Sequence, residues 1–444
     1  METTGRIFLM GMIFATWPCF ALTETVDGIT WKYTVTNSEA SLVGDNSYVV
    51  VGSYWMLVRS AVPQSTSGAI TIPSTLGGYP VTSIGRDAFY GCSGLTNVTI
   101  PDTVTSIESW AFGGCRRLTN IVIPCHVANI GDSAFSRCDG LTSVTIPNSV
   151  TNIGTRAFES CNGLSTITIP DRVINIGAYA FNGCGGLISV TIPNGVRNIE
   201  PNTFKNCTNL TQVAIGNAVT CIKEYAFNDC SRLMEITIPD CVKIVGDNAF
   251  SSCVNLTNVM IGNGVTNIGK HAFNCCDRLM EVSIPDSVKT IGENAFFGCT
   301  NLTNVKIGNG VVNIGRSAFE GCCGLTSVTI PDSMTSVEYR TFYNCQALAS
   351  LVLSSNLTYI GSSSFKGCRK LADVTIPDTV TGIGSEAFYG CAGLTNVTIP
   401  DAVTSIGSEA FYGCTGVTNV IVGKGVTKID EKAFGGCSKL KLVG

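Results

Sequence analysis

Residues 95–115 read Leu95-Thr-Asn-Val98-Thr-Ile100-Pro101-Asp-Thr-Val104-Thr-Ser-Ile107-Glu-Ser-Trp-Ala111-Phe112-Gly-Gly-Cys115, and this pattern decides the fold. Val98 and Ile100 alternate with polar neighbours, as a half-buried strand requires. Pro101 removes a backbone donor and ends that strand. In other units Gly216, Gly262, Gly308 or Gly423 stands there and turns the chain. Val104 and Ile107 form a second apolar stretch returning across the core. Ile107, Ala111, Phe112 and Cys115 are spaced i, i+4, i+5, i+8, which predicts about two turns of a short helix with one apolar side. Gly91, Gly183 and Gly413, each just before a cysteine, read as helix stops.

The same unit recurs without a slip. A phenylalanine stands at every twenty-third residue from Phe89 to Phe434, a run of fifteen equal intervals. A fixed period of this size marks one small structural unit stacked in a row, each burying its apolar face on its neighbours. The expected fold is therefore an α/β solenoid of about sixteen 23-residue units, with a parallel sheet on its concave side and short helices or turns on its convex side. Strands about 4.8 Å apart would give such a stack a length of roughly 75 Å.

The unit Leu394-Thr-Asn-Val-Thr-Ile-Pro-Asp-Ala-Val-Thr-Ser-Ile-Gly-Ser-Glu-Ala-Phe-Tyr-Gly-Cys414 resembles the BspA-like (treponemal-type) leucine-rich repeat, and the likeness covers residues 81–444. The resemblance implies a right-handed solenoid with a parallel sheet on its concave side. It also implies a secreted or surface-exposed protein, of a kind often associated with adhesion to host or neighbouring-cell proteins. It carries over no catalytic residues.

Outside the repeats, Arg6 precedes fifteen uncharged, mostly apolar residues, Ile7 to Ala21. That stretch is short for a membrane span of about 20 residues, so residues 1–21 read as an export signal, with a short uncleaved anchor as the alternative. Residues 22–80 do not follow the period. They contain strand-like runs at 30–35, 48–51 and 68–73 and read as a β-rich N-terminal cap over the first rung, an independent carbohydrate-binding module being the alternative. The chain stops at Leu440-Lys-Leu-Val-Gly444, one strand into a seventeenth rung and with no evident sorting segment. The expectation is a fragment of a longer chain, the alternative an assembly edge.

Composition narrows the chemistry. Of 444 residues only 14% are charged, the net charge is −4, and no basic stripe suits a phosphate backbone, so nucleic acid is not an expected partner. Sixteen of the 22 cysteines sit three residues after the repeating phenylalanines, from Cys92 to Cys437. Neighbours in such a column lie about 5 Å apart at Cβ, whereas a disulfide needs about 3.8 Å, so they read as buried packing thiols. Cys19, Cys125, Cys221, Cys241, Cys275 and Cys323 show no pairing pattern. The only histidines, His126 and His271, are far apart in sequence; no metal, cofactor or catalytic residue is expected. Gly154 and Gly384 form no phosphate-cradling loop. Sequons at Asn97, Asn206, Asn209, Asn255, Asn301, Asn356 and Asn396 follow from a Thr- and Asn-rich repeat.

Binding is expected on the outward strand positions. Most rungs present short uncharged residues there, such as Asn97 and Thr99, Ser143 and Thr145, Thr166 and Thr168, which suit either a soluble β face or a water-ordering threonine array. The middle rungs differ: Met234, Glu235, Met260, Met280, Glu281 and Lys306 form a candidate protein-contact patch, an apolar group ringed by charge. Arg-Leu-Met-Glu recurs at 232–235 and 278–281, so copying of a two-unit block competes with selection as its cause. The favoured function is a secreted or surface non-enzymatic adhesin whose concave face meets extracellular proteins or glycans of host or neighbouring cells. The alternative is a structural or antigenic surface-layer array.

Overall fold

Alternating apolar residues, a turn, and a second apolar pair give each rung two short strands, and copies of each strand pair in parallel along the stack. The computed structural model describes residues 21–44, 47–51, 54–58 and 60–440, with 47–51 and 54–58 by backbone alone. The export-signal reading and the last four residues of the seventeenth-rung reading fall outside the described residues.

At the N-terminal side, β1 (Leu22–Val26), β2 (Ile29–Thr36) and β3 (Glu39–Leu42) form an antiparallel meander. A hairpin follows from β4 (Ser47–Val51) and β5 (Tyr54–Val58). Next come β6 (Ser67–Thr71), the two-residue β7 (Thr75–Leu76) and β8 (Tyr79–Ile84). From there two parallel ladders run down the chain. The first starts as β6 beside β9 (Gly94–Thr99); the second starts as β3 beside β8 beside β10 (Ser106–Ile107). Register advances by one period per rung: Asn120 faces Ser143 in the first ladder, Ile107 faces Ile130 in the second. The apolar return seen in the sequence is thus a ladder of its own.

Between the ladders lies one continuous apolar interior. In the rung from Leu233 to Cys253, the buried set is Leu233, Ile236, Ile238, Val242, Val245, Ala249, Phe250 and Cys253. The phenylalanine rings stack nearly parallel from Phe89 to Phe434, with centroids 5.0 to 5.6 Å apart and planes within 11°. Each buried ring removes enough apolar surface from water to contribute roughly 2 to 3 kcal/mol. At the N-terminal end of the column, Trp31 meets Phe89 edge-on, 6.2 Å between centroids at 77°.

The helix expected between Ile107 and Cys115 is absent, and so are its counterparts: the described residues contain no helix. The segment is a run of tight turns instead, for a backbone reason. Trp110 and Gly114 have φ of 60° and 76°, and the same two positions, two before and two after the phenylalanine, are left-handed in every rung. Each such residue flips a peptide plane, so the N–H groups alternate in direction. Ala111, Gly113 and Cys115 donate locally to the carbonyls of Glu108, Trp110 and Phe112; Trp110, Phe112 and Gly114 donate to Asp132, Ala134 and Ser136 of the next rung. A helix would have spent all of these donors within its own segment. The turns send half of them along the stack and join the rungs on this side as well.

Glycine replaces the strand-ending proline for a different reason from the one expected. A Cβ on Gly262 would lie 2.5 Å from the Pro239 carbonyl carbon of the preceding rung. Gly262 lies outside the left-handed region, so its turn is not one that only glycine can make, and a Cβ there would require the local backbone to shift.

Candidate protein-interaction site

The first ladder positions the outward side chains. Its longest uninterrupted run has six strands, Glu235–Ile238, Asn258–Ile261, Glu281–Ile284, Asn304–Ile307, Ser327–Thr329 and Ser350–Val352. Strand alternation buries Ile236, Val259, Val282 and Val305 and turns their neighbours out. In-register pairing then sorts the exposed residues into columns. Glu235, Asn258, Glu281 and Asn304 make one; Thr237, Met260, Ser283 and Lys306 make the next. Met234 and Met280 precede these strands, and their carbonyls accept the hydroxyls of Thr257 and Thr303, each at 3.0 Å.

All six patch residues named from the sequence therefore lie on four consecutive rungs of one face. Met234, Met260 and Met280 are 53%, 54% and 54% exposed, high for side chains of this apolarity. Glu235, Glu281 and Lys306 are exposed and make no ion pair or side-chain hydrogen bond among the described residues. A shallow groove runs over Met260, lined by Asn263, Glu281, Ser283, Asp286 and Lys306 among others. A neighbouring groove is lined by Ala214, Asn217, Thr237 and Asp240.

Sequence reasoning passed over Asp240 and Asp286. Each follows a strand-ending proline, and each carboxylate accepts the backbone N–H two residues past the last isoleucine of the next rung's strand, Ile261 or Ile307: Asn263 at 2.6 Å and Asn309 at 2.7 Å. One oxygen is occupied by that bond, and the side chains stay exposed at the groove edge. Reading the position after each Pro beside the following Gly would have found them. Exposed Val122, Val352 and Ile421 share the column of Met260 by register position, and Ile188 stands at the repeat position of Met234. Of those four only Val352 has an acid at the flanking outward position of a neighbouring rung, Asp373, so it is the flanking of an apolar residue by acids on both adjacent rungs that sets Met260 apart.

The cysteine column is buried and reduced. Cys92 through Cys414 at the repeat position are fully covered, and each thiol from Cys115 onward donates to the carbonyl of the phenylalanine 26 residues earlier, for example Cys253 to Phe227 at 3.3 Å. Burial pushes the Cys92 thiol up to about 11 and the Cys138, Cys184 and Cys253 thiols up to about 12. Such thiols are poor nucleophiles. Off the column, Cys125 is exposed and Cys221, Cys241, Cys275 and Cys323 are half-buried; Cys19 lies outside the described residues. His126 Nδ1 lies 3.2 Å from the Asp102 carbonyl oxygen and 3.6 Å from the Cys125 sulfur. Among the described residues no group of three or more His, Cys, Asp or Glu side chains converges to hold a metal, and no helix is long and apolar enough to cross a membrane.

With this geometry in hand, known proteins can be placed beside it. No curated protein matches the chain. A leucine-rich repeat protein from Bacteroides ovatus shares 27% identity, with 94% of this chain and 93% of that chain covered and a TM-score of 0.70. A leucine rich cell surface protein from Faecalibacterium prausnitzii is 27% identical over 92% of this chain and 96% of its own, with a TM-score of 0.43. A leucine-rich repeat protein from T. pallidum is 29% identical over 46% of this chain and 87% of its own, with a TM-score of 0.40. The model of the BspA type leucine rich repeat region matches in overlapping stretches at 66–187, 174–302, 222–349, 266–394 and 335–443, together most of the chain. The matched span is the one that holds the two parallel ladders and most of the stacked phenylalanine column, and the chain belongs to the BspA type leucine-rich-repeat family.

Proposed function

We propose that this protein is a secreted or cell-surface adhesin that contacts extracellular proteins or glycans through the exposed face of its first ladder. Membership of a leucine-rich-repeat family supports a non-enzymatic interaction scaffold, and a rigid sheet with many shallow outward positions suits a macromolecule better than a small molecule. The observation that carries the reading is the exposure of Met234, Met260 and Met280 beside Glu235, Glu281 and Lys306 on a face whose other rungs are mostly Thr, Ser and Asn.

The test is saturable binding of the purified protein to whole cells and to surfaces coated with extracellular-matrix proteins. Replacing the three methionines by threonine should abolish that binding and leave the circular dichroism spectrum as it was. Full retention by the triple variant removes the middle rungs from the reading. A second reading, a structural or antigenic surface array, draws on the repeat of Arg-Leu-Met-Glu at 232–235 and 278–281, since block copying places identical residues without any partner. No saturable binding to any surface, together with ordered self-packing at high density, favours it.

A further inference from the structure

We infer that the middle rungs seat an extended, lysine- or arginine-bearing polypeptide segment laid along the solenoid, with its cationic side chains three residues apart. The inference rests on the reading that this face binds macromolecules, and adds what the partner must look like.

Four carboxylates stand on these rungs in two equivalent pairs, Glu235 with Asp240 and Glu281 with Asp286. Of the two grooves, the first is lined by Glu281, Asp286 and a single cation, Lys306; the second has Asp240 and no cation. Arg232 and Arg278 line neither, nor does Glu235, which stands on the outward face beside them; Lys243 and Lys289 are exposed on the same rungs outside both grooves. The glutamates have no partner among the described residues, and Asp240 and Asp286 each use one oxygen on a backbone N–H, so all four carboxylates keep acceptor oxygens for a cationic ligand. A segment bearing positive charge complements them.

Spacing selects the form of that segment. Phe227, Phe250 and Phe273 are 5.3 Å apart in succession, so the two acidic pairs, two rungs apart, are separated by roughly 10 Å. An extended segment of polyproline II form has three residues per turn and rises about 3.1 Å per residue, so residues i and i+3 lie on one side roughly 9 Å apart. Between the acidic rungs Met260 offers a flexible apolar contact for the residue in between. One rung beyond Glu281, Lys306 reverses the sign in the column of Met260, which fixes direction: an acidic residue two places after the second cation, on the side of the apolar residue, meets it. The complement is a cation, an apolar residue, a second cation three places on, and then an acid.

The probe is a labelled twelve-residue peptide with lysines at its fourth and seventh positions, leucine at its sixth and glutamate at its ninth, read by fluorescence anisotropy against the full chain. A control peptide of the same composition has its lysines two apart. The matched peptide should bind roughly fivefold more tightly than the control, and binding should weaken several-fold as salt rises from about 50 to about 300 mM. Glu235→Thr with Glu281→Thr should erase the difference between peptides, and Met260→Thr should weaken the matched peptide by roughly fivefold. Equal binding of both peptides, or no response to the glutamate changes, overturns the inference. So does displacement of the peptide by nothing but a sulfated glycan acting at Lys306. If the chain still binds cells or coated surfaces through the methionines while ignoring the peptide, only the partner chemistry falls and the adhesin reading stands.

Discussion

The inner and outer sides of the same strands obey different rules. Inside, the residues at the phenylalanine and cysteine positions never vary across sixteen rungs, because a stacked column tolerates neither a gap nor an extra atom. Outside, the columns through Glu235 and Met260 change from rung to rung, since an exposed position on a strand is held only by solubility and strand propensity. Uniformity within and variation without mean that stability resides in the columns and individuality in the face. Changes to the two sides should therefore separate cleanly.

The largest effect belongs to the column. Phe250→Ala removes a ring stacked at 5.3 Å on both sides and should cost about 3 to 5 kcal/mol, seen as a lower urea midpoint by circular dichroism. A loss below about 1 kcal/mol would mean the column is not the shared interior described here.

Alkaline pH attacks the same interior. Burial raises the column thiols above their ordinary value of 9.0, to about 12 for Cys138, Cys184 and Cys253. Below about pH 9 they are neutral in both folded and unfolded chains. Between about 9 and 12 only the unfolded chain ionises, so stability falls as pH rises through that window. Thiolate absorbance should appear together with unfolding, and a thiol reagent at neutral pH should label Cys125 well ahead of the column. Prompt labelling of the column in the native protein would contradict its burial.

A smaller effect falls on the turns. Gly298 has φ of 71°, and Gly298→Ala should cost about 1 kcal/mol through left-handed strain, since the nearest atom to the added Cβ is the Cys275 sulfur at 3.5 Å. The thermal midpoint reads it, and an unchanged midpoint would show the strain to be relieved elsewhere.

On the outward face the effect on folding is smallest. Met260→Thr should move stability by no more than about 0.5 kcal/mol, by the same urea titration, while it lowers binding to the surfaces that the parent protein recognises. A Met260→Thr protein as unstable as Phe250→Ala would erase the distinction between the two sides.

How far the sequence reached differs along the rung. The first strand, the second apolar stretch and the buried leucine, alanine, phenylalanine and cysteine were all legible, because a period of two and a period of 23 each leave a fixed mark. The run from Ile107 to Cys115 was misread. Its apolar spacing fits one side of a helix and equally fits consecutive turns that point the same residues inward. A discriminating signal was present two residues after each phenylalanine, where Gly91, Gly114, Gly183, Gly298, Gly321, Gly367, Gly390, Gly413 and Gly436 stand, with Asn206, Asp229 and Asn344 among the others. Those residue types favour left-handed φ, and a helix interior does not want them. The patch was legible as six residue types in odd places; its organisation into columns was not, since register across strands is a three-dimensional fact.

Repetition in the sequence by itself determined that this chain stacks like units around one apolar interior, because no single 23-residue unit buries enough surface to fold alone. Tertiary structure decided how the backbone spends its hydrogen bonds at the turns, and which exposed residues become neighbours. Left-handed residues there aim alternate N–H groups at the next rung, and parallel pairing brings Glu235 and Glu281, 46 residues apart in the chain, to within two strands of one another.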